Sequence, residues 1–549
     1  MDSKKLTFFI IISAVLVFGW EILMDRMYPE RKVQPAVASA PVTSSVPAPA
    51  NNAAAPVDAG RLQRGQRIAV KTDLFAAEID TNGADLRHVD LLKHNAAEDP
   101  KKPFVLLTDS QERIYVAQSG LIGDGLPTHK TVFKATQPAY QLADGQNELA
   151  VRLEAVGPEG VKIAKIYVFK RGSYVVDVKY EILNGSAKPL TASAYYRFLR
   201  DGHKIEGGGM GASTFTGPAV YTEENKFQKV EFDKLAENKA KYTEKAKDGW
   251  VAMLQHYFAT AWIVSPTGGD AICGPQACRY DLKKLPDGLY SAGVITDLPQ
   301  IAAGGKLETR VPLFLGPEDT RILKNVAPGF ELVKDYGMVT VIATPLFWLL
   351  EKLHAMVGNW GWAIILLTVL IKALFFPLSA ASYRSMAKMR VVAPRMEELK
   401  RRYADDRMKL QQAMMQMYKE EKINPLGGCL PVLIQIPVFI ALYWTLLASV
   451  EIRQAPWLGW ITDLSAKDPY FILPVLMTIS MYVQSLLSPP PPDPMQAKIM
   501  KIMPLVFSFM FFMFPAGLVL YWVVNNVLSI LQQWLIARQI EGGKKLVKG

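Results

Sequence analysis

The sequence predicts a polytopic α-helical membrane protein with six spans and a large extracytoplasmic all-β domain. Three observations predict it. Several stretches of about twenty residues are almost free of charge, which is the length a helix needs to cross a bilayer. Between them, residues 61–330 form short runs of alternating or β-branched residues punctuated by Gly, Pro, Asn and Asp. Basic residues cluster beside the apolar stretches, where they set topology and meet anionic lipid. At 549 residues the chain also exceeds the size at which one hydrophobic core keeps growing.

The first span covers residues 6–24, after Lys4 and Lys5 in a cytoplasmic segment 1–5. No small-residue cleavage site follows it, and Ile22, Leu23 and Met24 extend the apolar run, so it reads as an uncleaved anchor. Residues 25–60, with PAVASAPVTSSVPAPANNAAAP, cannot bury a core and form a linker. Residues 61–330, with RIAVKTDLFAAEID, KIYVFKRGSYVVDVKYEIL and ASAYYRFLR, predict a β-sandwich or barrel. The lysine-rich KFQKVEFDKLAENKAKYTEKAKD reads as a solvated loop or short helix.

Residues 331–357 read as an amphipathic interfacial helix with Glu351, Lys352 and His354 on its polar face. Residues 358–382 are the second span. The segment 383–422 holds eleven Lys or Arg and six Asp or Glu, a balance of about +5 that assigns it to the cytoplasm. Its apolar positions recur at helical spacing on either side of Ala404-Asp405-Asp406, predicting a hairpin of two helices kinked at Pro394. A third span (423–450), an extracytoplasmic loop (451–469) and a fourth span (470–487) follow. The Pro-rich SPPPPDPMQAK turn at 488–498 returns the chain to the cytoplasmic side. The uncharged stretch 502–537 is too long for one crossing, and Pro515-Ala516-Gly517 divides this region into spans 499–514 and 518–537. A short basic tail, 538–549, ends the chain inside.

Lys372 is the most informative residue. A charge within a span costs about 2.5 to 3.5 kcal/mol, so something compensates it. Two readings stand: the ammonium snorkels to the cytoplasmic headgroups, or it faces a water-filled cavity open to the cytoplasm. Thr368, one turn earlier, shares its face, and Gln435, Gln484, Asn525, Asn526 and Gln532 are candidate polar lining; glue between helices is the alternative for each. No Asp or Glu lies in the spans after the first, which carries Glu21, and this argues against a cation pump and suits attraction of an acidic group that arrives and leaves again.

Other chemistry is thin. The net charge of +11 sits mostly beside apolar segments, so DNA is excluded as a partner and ribosomal RNA is the one nucleic acid left open. There is no Walker loop, HExxH or GxSxG, and six histidines form no metal-ligand cluster, so no catalytic residue, metal or cofactor is assigned. Gly207 to Ala212 match G-x-G-x-x-A by letter but lack a βαβ context. His203 and His256 are the histidines that would suit a carbohydrate pocket in the β domain. Cys429 is a small packing residue. Cys273 and Cys278 fall in the extracytoplasmic region, where a disulfide persists; the sequence leaves their pairing open.

Five stretches, LTVLIKALFFPLSAASYRSMAKM, EKINPLGGCLPVLIQIPVFIALYW, RQAPWLGWITDLSAKDPYFILPVLM, DPMQAKIMKIMP and FPAGLVLYWVVNNVLSILQQ, resemble the YidC/Oxa family of membrane-protein insertases in its long Gram-negative form. The resemblance spans nearly the whole chain. It implies an ATP-independent insertase and chaperone of the inner membrane, with both termini cytoplasmic and a five-helix core. That core encloses a hydrophilic groove open to the cytoplasm and lipid but closed to the exterior. Lys372 stands where the family has an arginine, keeping the charge but losing the planar fork. Thr368, Phe439 and Trp522 stand at positions that contact the nascent transmembrane segment, Trp522 replacing a tyrosine seen in some relatives. The resemblance further implies that the hairpin and Pro-rich loop recruit the ribosome and the signal recognition particle with its receptor, the short tail adding little. It implies a periplasmic β-supersandwich, related to sugar-binding enzymes, that touches the Sec translocase (SecYEG and SecDF).

Three other classes compete. A transporter or channel predicts an inverted repeat, and none is visible. An anchored carbohydrate-processing enzyme leaves five spans without a role. A chaperone that folds rather than inserts its clients is the nearest rival, and the two roles are compatible.

Overall fold

The computed structural model describes residues 62–547 apart from 98, 204–214, 274–275, 335, 404–405, 422–429, 488–501 and 503–507. The anchor at 6–24, the linker, the glycine cluster at 207–212, Cys429 and the Pro-rich turn at 488–498 lie outside the described residues, as do the side chains beyond Gln539.

Residues 67–317 form two antiparallel-rich sheets of ten and nine strands. The KIYVFKRGSYVVDVKYEIL stretch is a hairpin: Lys162–Lys170 pairs with Val175–Leu183, with Tyr167 opposite Val178. Gly172 takes φ +69 in its turn, a left-handed conformation in which a Cβ is strained. Val175–Leu183 then pairs along its other edge with Lys306–Pro317. Glu148–Val156 alternates exposed and buried positions, as a one-face strand does, whereas Lys162–Lys170 is buried on both faces from Ile163 to Phe169. Between the sheets lie Trp250, Trp262, Tyr180, Tyr196 and Phe198, all at most 1 % exposed. The lysine-rich segment 226–247 holds two short strands and α1 (Phe232–Ala236), whose Phe232 and Leu235 are buried. Cys273 and Cys278 form a disulfide, with Cα atoms 5.2 Å apart.

After α2 (Thr320–Val326) the chain enters the helical core. The helix expected over 331–357 is shorter. Phe330–Val333 and Gly337–Val339 are single 3₁₀ turns, and α3 runs from Thr340 to Val357 because Gly337, at φ +60, breaks the path between them. Gly358 closes α3 in the left-handed conformation, and the Asn359 side chain caps the next helix by accepting from the backbone N–H groups of Gly361 and Trp362. That helix, α4 (Trp360–Leu374), meets the first part, Phe376–Met386, of α5 (Phe376–Arg402) at 67°. The stretch expected as the second span is therefore bent at Phe375. Pro377 sits in the first turn of α5, where its missing N–H costs nothing, while α5 continues through Pro394.

The remaining helices are α6 (Arg407–Glu420), α7 (Leu430–Ala448), α8 (Ile472–Leu487) and α9 (Ala516–Val547). Val392, Met396 and Met417 pack α5 on α6, and Arg395 pairs with Glu420 and Glu421. Leu350, Ile364, Leu367, Leu442, Leu446, Met477, Leu518 and Tyr521 unite α3, α4, α7, α8 and α9 in one apolar core. Among the described residues, α3 and Ala516–Gln539 of α9 are each long and apolar enough to cross a membrane, as is the bent α4–α5 pair taken as one span. The apolar helices Gln435–Ala448 and Ile472–Leu487 are shorter.

Candidate functional site

Lys372 occupies the last turn of α4, where the helix dipole favours a cation. Its ammonium is turned into the bundle: Nζ donates to Ser529 Oγ of α9 at 2.7 Å. Among the described residues no carboxylate pairs with it. The Ser529 hydroxyl in turn donates to the Asn525 carbonyl one turn back, at 2.7 Å. The Asn525 side-chain oxygen is buried without a partner among the described residues. Gln532 Nε2 reaches the Phe376 carbonyl at 3.5 Å, across the α4–α5 break.

Asn525, Ser529 and Gln532 are spaced i, i+4, i+7 and share one face of α9. Asn526 and Gln533 lie about 100° further round and serve a different neighbour. Asn526 Nδ2 donates to Ser480 Oγ of α8 at 3.1 Å, and Gln533 Nε2 donates to the Leu487 carbonyl at 2.9 Å. Polar glue thus describes Asn526, while Asn525 shares the α9 face of Ser529, the residue bonded to Lys372. Thr368 shares the Lys372 face but is buried, its hydroxyl donating to the Ile364 carbonyl of its own helix at 2.7 Å. It brings no free hydroxyl to the lining. Gln484 lies half-buried on α8, engaged with neighbouring groups.

An apolar shelf adjoins these groups. The Phe439 and Trp522 rings meet edge to face at 4.3 Å, and Phe511 packs on Trp522 at 5.1 Å. Gln435 of α7 donates through Nε2 to the Tyr521 hydroxyl beside them. Ser529 and Tyr521 are the site residues that sequence reasoning missed. The available signal was a serine at helical spacing between Asn525 and Gln532, on the face those two define.

At the outer end of the core, a cavity of about 410 Å³ separates the β domain from α3 and α4. Its walls include His94, Tyr174, Asp319, Glu351, His354 and Trp360; neither His203 nor His256 lines it. His256 instead packs against Tyr257, their rings 3.7 Å apart, and burial lowers its pKa to about 4. Among the described residues no group of three or more His, Cys, Asp or Glu is arranged to hold a metal.

Two β-sheets outside and a helical bundle with an interior cation define a polytopic membrane protein with a separate extramembrane domain. The family model for the YidC periplasmic domain matches residues 67–349, and that for the 60Kd inner membrane protein matches 352–544. The chain is 57% identical to the membrane protein insertase YidC of Laribacter hongkongensis over 547 residues, covering 98% of both chains. It is 51% identical to that of Aromatoleum aromaticum over 556 residues, covering 100% of both. A crystal structure described as active YidC insertase with the first transmembrane domain resolved matches with a TM-score of 0.42 at 19% identity, over 86% of this chain and 92% of that one. The chain belongs to the YidC family of membrane protein insertases. It is an inner-membrane protein with a periplasmic β domain, its function is membrane-protein insertion, and its substrates are inner-membrane proteins.

Proposed function

We propose that insertion runs through a groove open to the cytoplasm, lined by Lys372, Asn525, Ser529 and Gln532, and that the Lys372 ammonium transiently draws in acidic residues of a client's N-terminal tail. The observation that carries this reading is the direction of Lys372: a snorkelling ammonium turns to the headgroups, whereas this one is bonded to Ser529 on the facing helix. Among the described residues, two of its three N–H groups are left for water or a client carboxylate. Hydration of the groove shortens the hydrocarbon that a polar tail must cross. Phe439 and Trp522 form the surface along which the client helix slides toward lipid; Thr368, buried in α4, does not reach it. Burial of that helix in lipid, at about 25 cal/mol per Å², drives release without nucleotide.

The same reading places both termini in the cytoplasm and gives the chain a chaperone role for clients that fold beside it. The partners it expects are the Sec translocase (SecYEG and SecDF) at the periplasmic side, the ribosome and the signal recognition particle with its receptor at the α5–α6 hairpin, and anionic lipid at the basic flanks. The roughly +5 balance of residues 383–422 supports the last two.

The test uses proteoliposomes containing only this protein and a single-span client with an acidic tail, read by protease protection of the tail. Wild type and Lys372→Arg insert the client without nucleotide, while Lys372→Ala and Lys372→Glu do not. Equal insertion by all four would return Lys372 to snorkelling.

A further inference from the structure

We infer that Ser529 is a positioning residue for insertion, holding the Lys372 ammonium inside the bundle so that it meets the client's acidic tail. The inference rests on the groove reading above and extends it to a residue that carries no charge.

The geometry fixes the role of each atom. Lys372 has four rotatable side-chain bonds and sits in the last turn of α4, one residue before Ala373 and Leu374, beyond which the chain bends by 67°. A flexible cation this near a helix end reaches headgroups unless something inside holds it. Ser529 Oγ is the acceptor that does so, at 2.7 Å, and Ser529 is 3% exposed. Its own proton is directed to the Asn525 carbonyl, so its oxygen is left to accept from Lys372, with the Tyr383 hydroxyl of α5 as its other neighbour. The hydroxyl is thereby fixed as an acceptor and cannot compete with Lys372 as a donor to a client carboxylate. A carboxylate at this position would neutralise the cation. A hydroxyl holds it and preserves its charge for the client.

The choice of hydroxyl follows from the same contacts. Threonine keeps the oxygen on the same backbone carbonyl and adds one methyl group; alanine removes the acceptor and leaves the ammonium free to leave the bundle.

The test compares two single-span clients differing only in tail, one acidic and one uncharged, in proteoliposomes of the full chain. The variants are Ser529→Ala, Ser529→Thr, Lys372→Ala and the Lys372→Ala/Ser529→Ala pair. The ratio of acidic-tail to uncharged-tail insertion falls roughly tenfold in Ser529→Ala, the value of one hydrogen bond to a charged group, and recovers in Ser529→Thr. The pair loses no more than Lys372→Ala alone, because the serine acts through the lysine. The inference is overturned if Lys372→Ala collapses the ratio while Ser529→Ala leaves it intact, or if Ser529→Ala lowers both clients in proportion and threonine fails to restore them. If Lys372→Ala leaves the ratio unchanged, the groove reading and this inference fall together.

Discussion

Lys334 and Glu451 clasp the β-domain end of the chain to the loop after α7. The Lys334 Nζ donates to both Glu451 carboxylate oxygens at 2.8 and 2.9 Å, with the two side chains 1% and 5% exposed. The ammonium also lies 3.6 Å from the centroid of the Phe347 ring on α3. Beside this pair, Arg453 donates to the Asn95 carbonyl of the β domain. Removing one member of a buried pair leaves an uncompensated charge, at a cost of about 3–5 kcal/mol. Lys334→Met therefore lowers the unfolding midpoint of the full chain in detergent, and adding Glu451→Leu recovers most of the loss. A double variant no more stable than the single one would mean that the pair is not what joins these segments.

Acid weakens the β domain through three buried histidines, His94, His129 and His256. Burial, reinforced by Arg453, lowers the pKa of His94 and of His256 to about 4; burial, with Arg197 adjacent, lowers that of His129 to about 3. All three are neutral when folded at pH values where the unfolded chain, with histidine near 6.5, already binds protons. The unfolded state thus holds more protons between pH 6.5 and about 4, and stability falls as pH drops through that window. Thermal unfolding followed by tryptophan emission at pH 7 and 4.5 measures it. His94→Gln with His256→Gln reduces the difference between the two midpoints; an unchanged difference would assign it to carboxylates.

A methyl group at Gly361 disturbs the outer rim of the core. A Cβ there would stand 2.1 to 2.7 Å from the Cδ1, Cγ and Cβ atoms of Trp457. Replacing glycine by alanine in a helix gains about 1 kcal/mol in propensity, whereas forcing an atom into packed space costs about 1–3 kcal/mol. The second term wins, so Gly361→Ala lowers the unfolding midpoint. A stabilised variant would show that Trp457 moves aside freely.

The sequence made the class of fold and the central charge legible, because both are encoded locally. Period-two runs, uncharged stretches and a lone lysine among apolar residues need no knowledge of neighbours. The partners of that lysine are not encoded locally. Asn525 and Asn526 are indistinguishable as letters, yet a turn of about 100° puts one on the face of Ser529 and the other against Ser480. Thr368 reads as polar lining until its hydroxyl is found on the Ile364 carbonyl. Lys334 and Glu451 are 117 residues apart, and no spacing rule connects them. The bend at Phe375 is an intermediate case: Pro377 signals a helix start, but the apolar composition of 358–382, interrupted by charge only at Lys372, conceals it.

The central claim is that the charge on Lys372 meets opposite charge on the client's tail, and reversing both charges tests it most directly. Wild type and Lys372→Glu are each given two otherwise identical single-span clients, with acidic and with basic tails, in proteoliposomes, and tail protection is measured. The account predicts that Lys372→Glu loses the acidic-tailed client and gains insertion of the basic-tailed one relative to wild type. If Lys372→Glu handles both tails as wild type does, electrostatic attraction at Lys372 is not part of insertion.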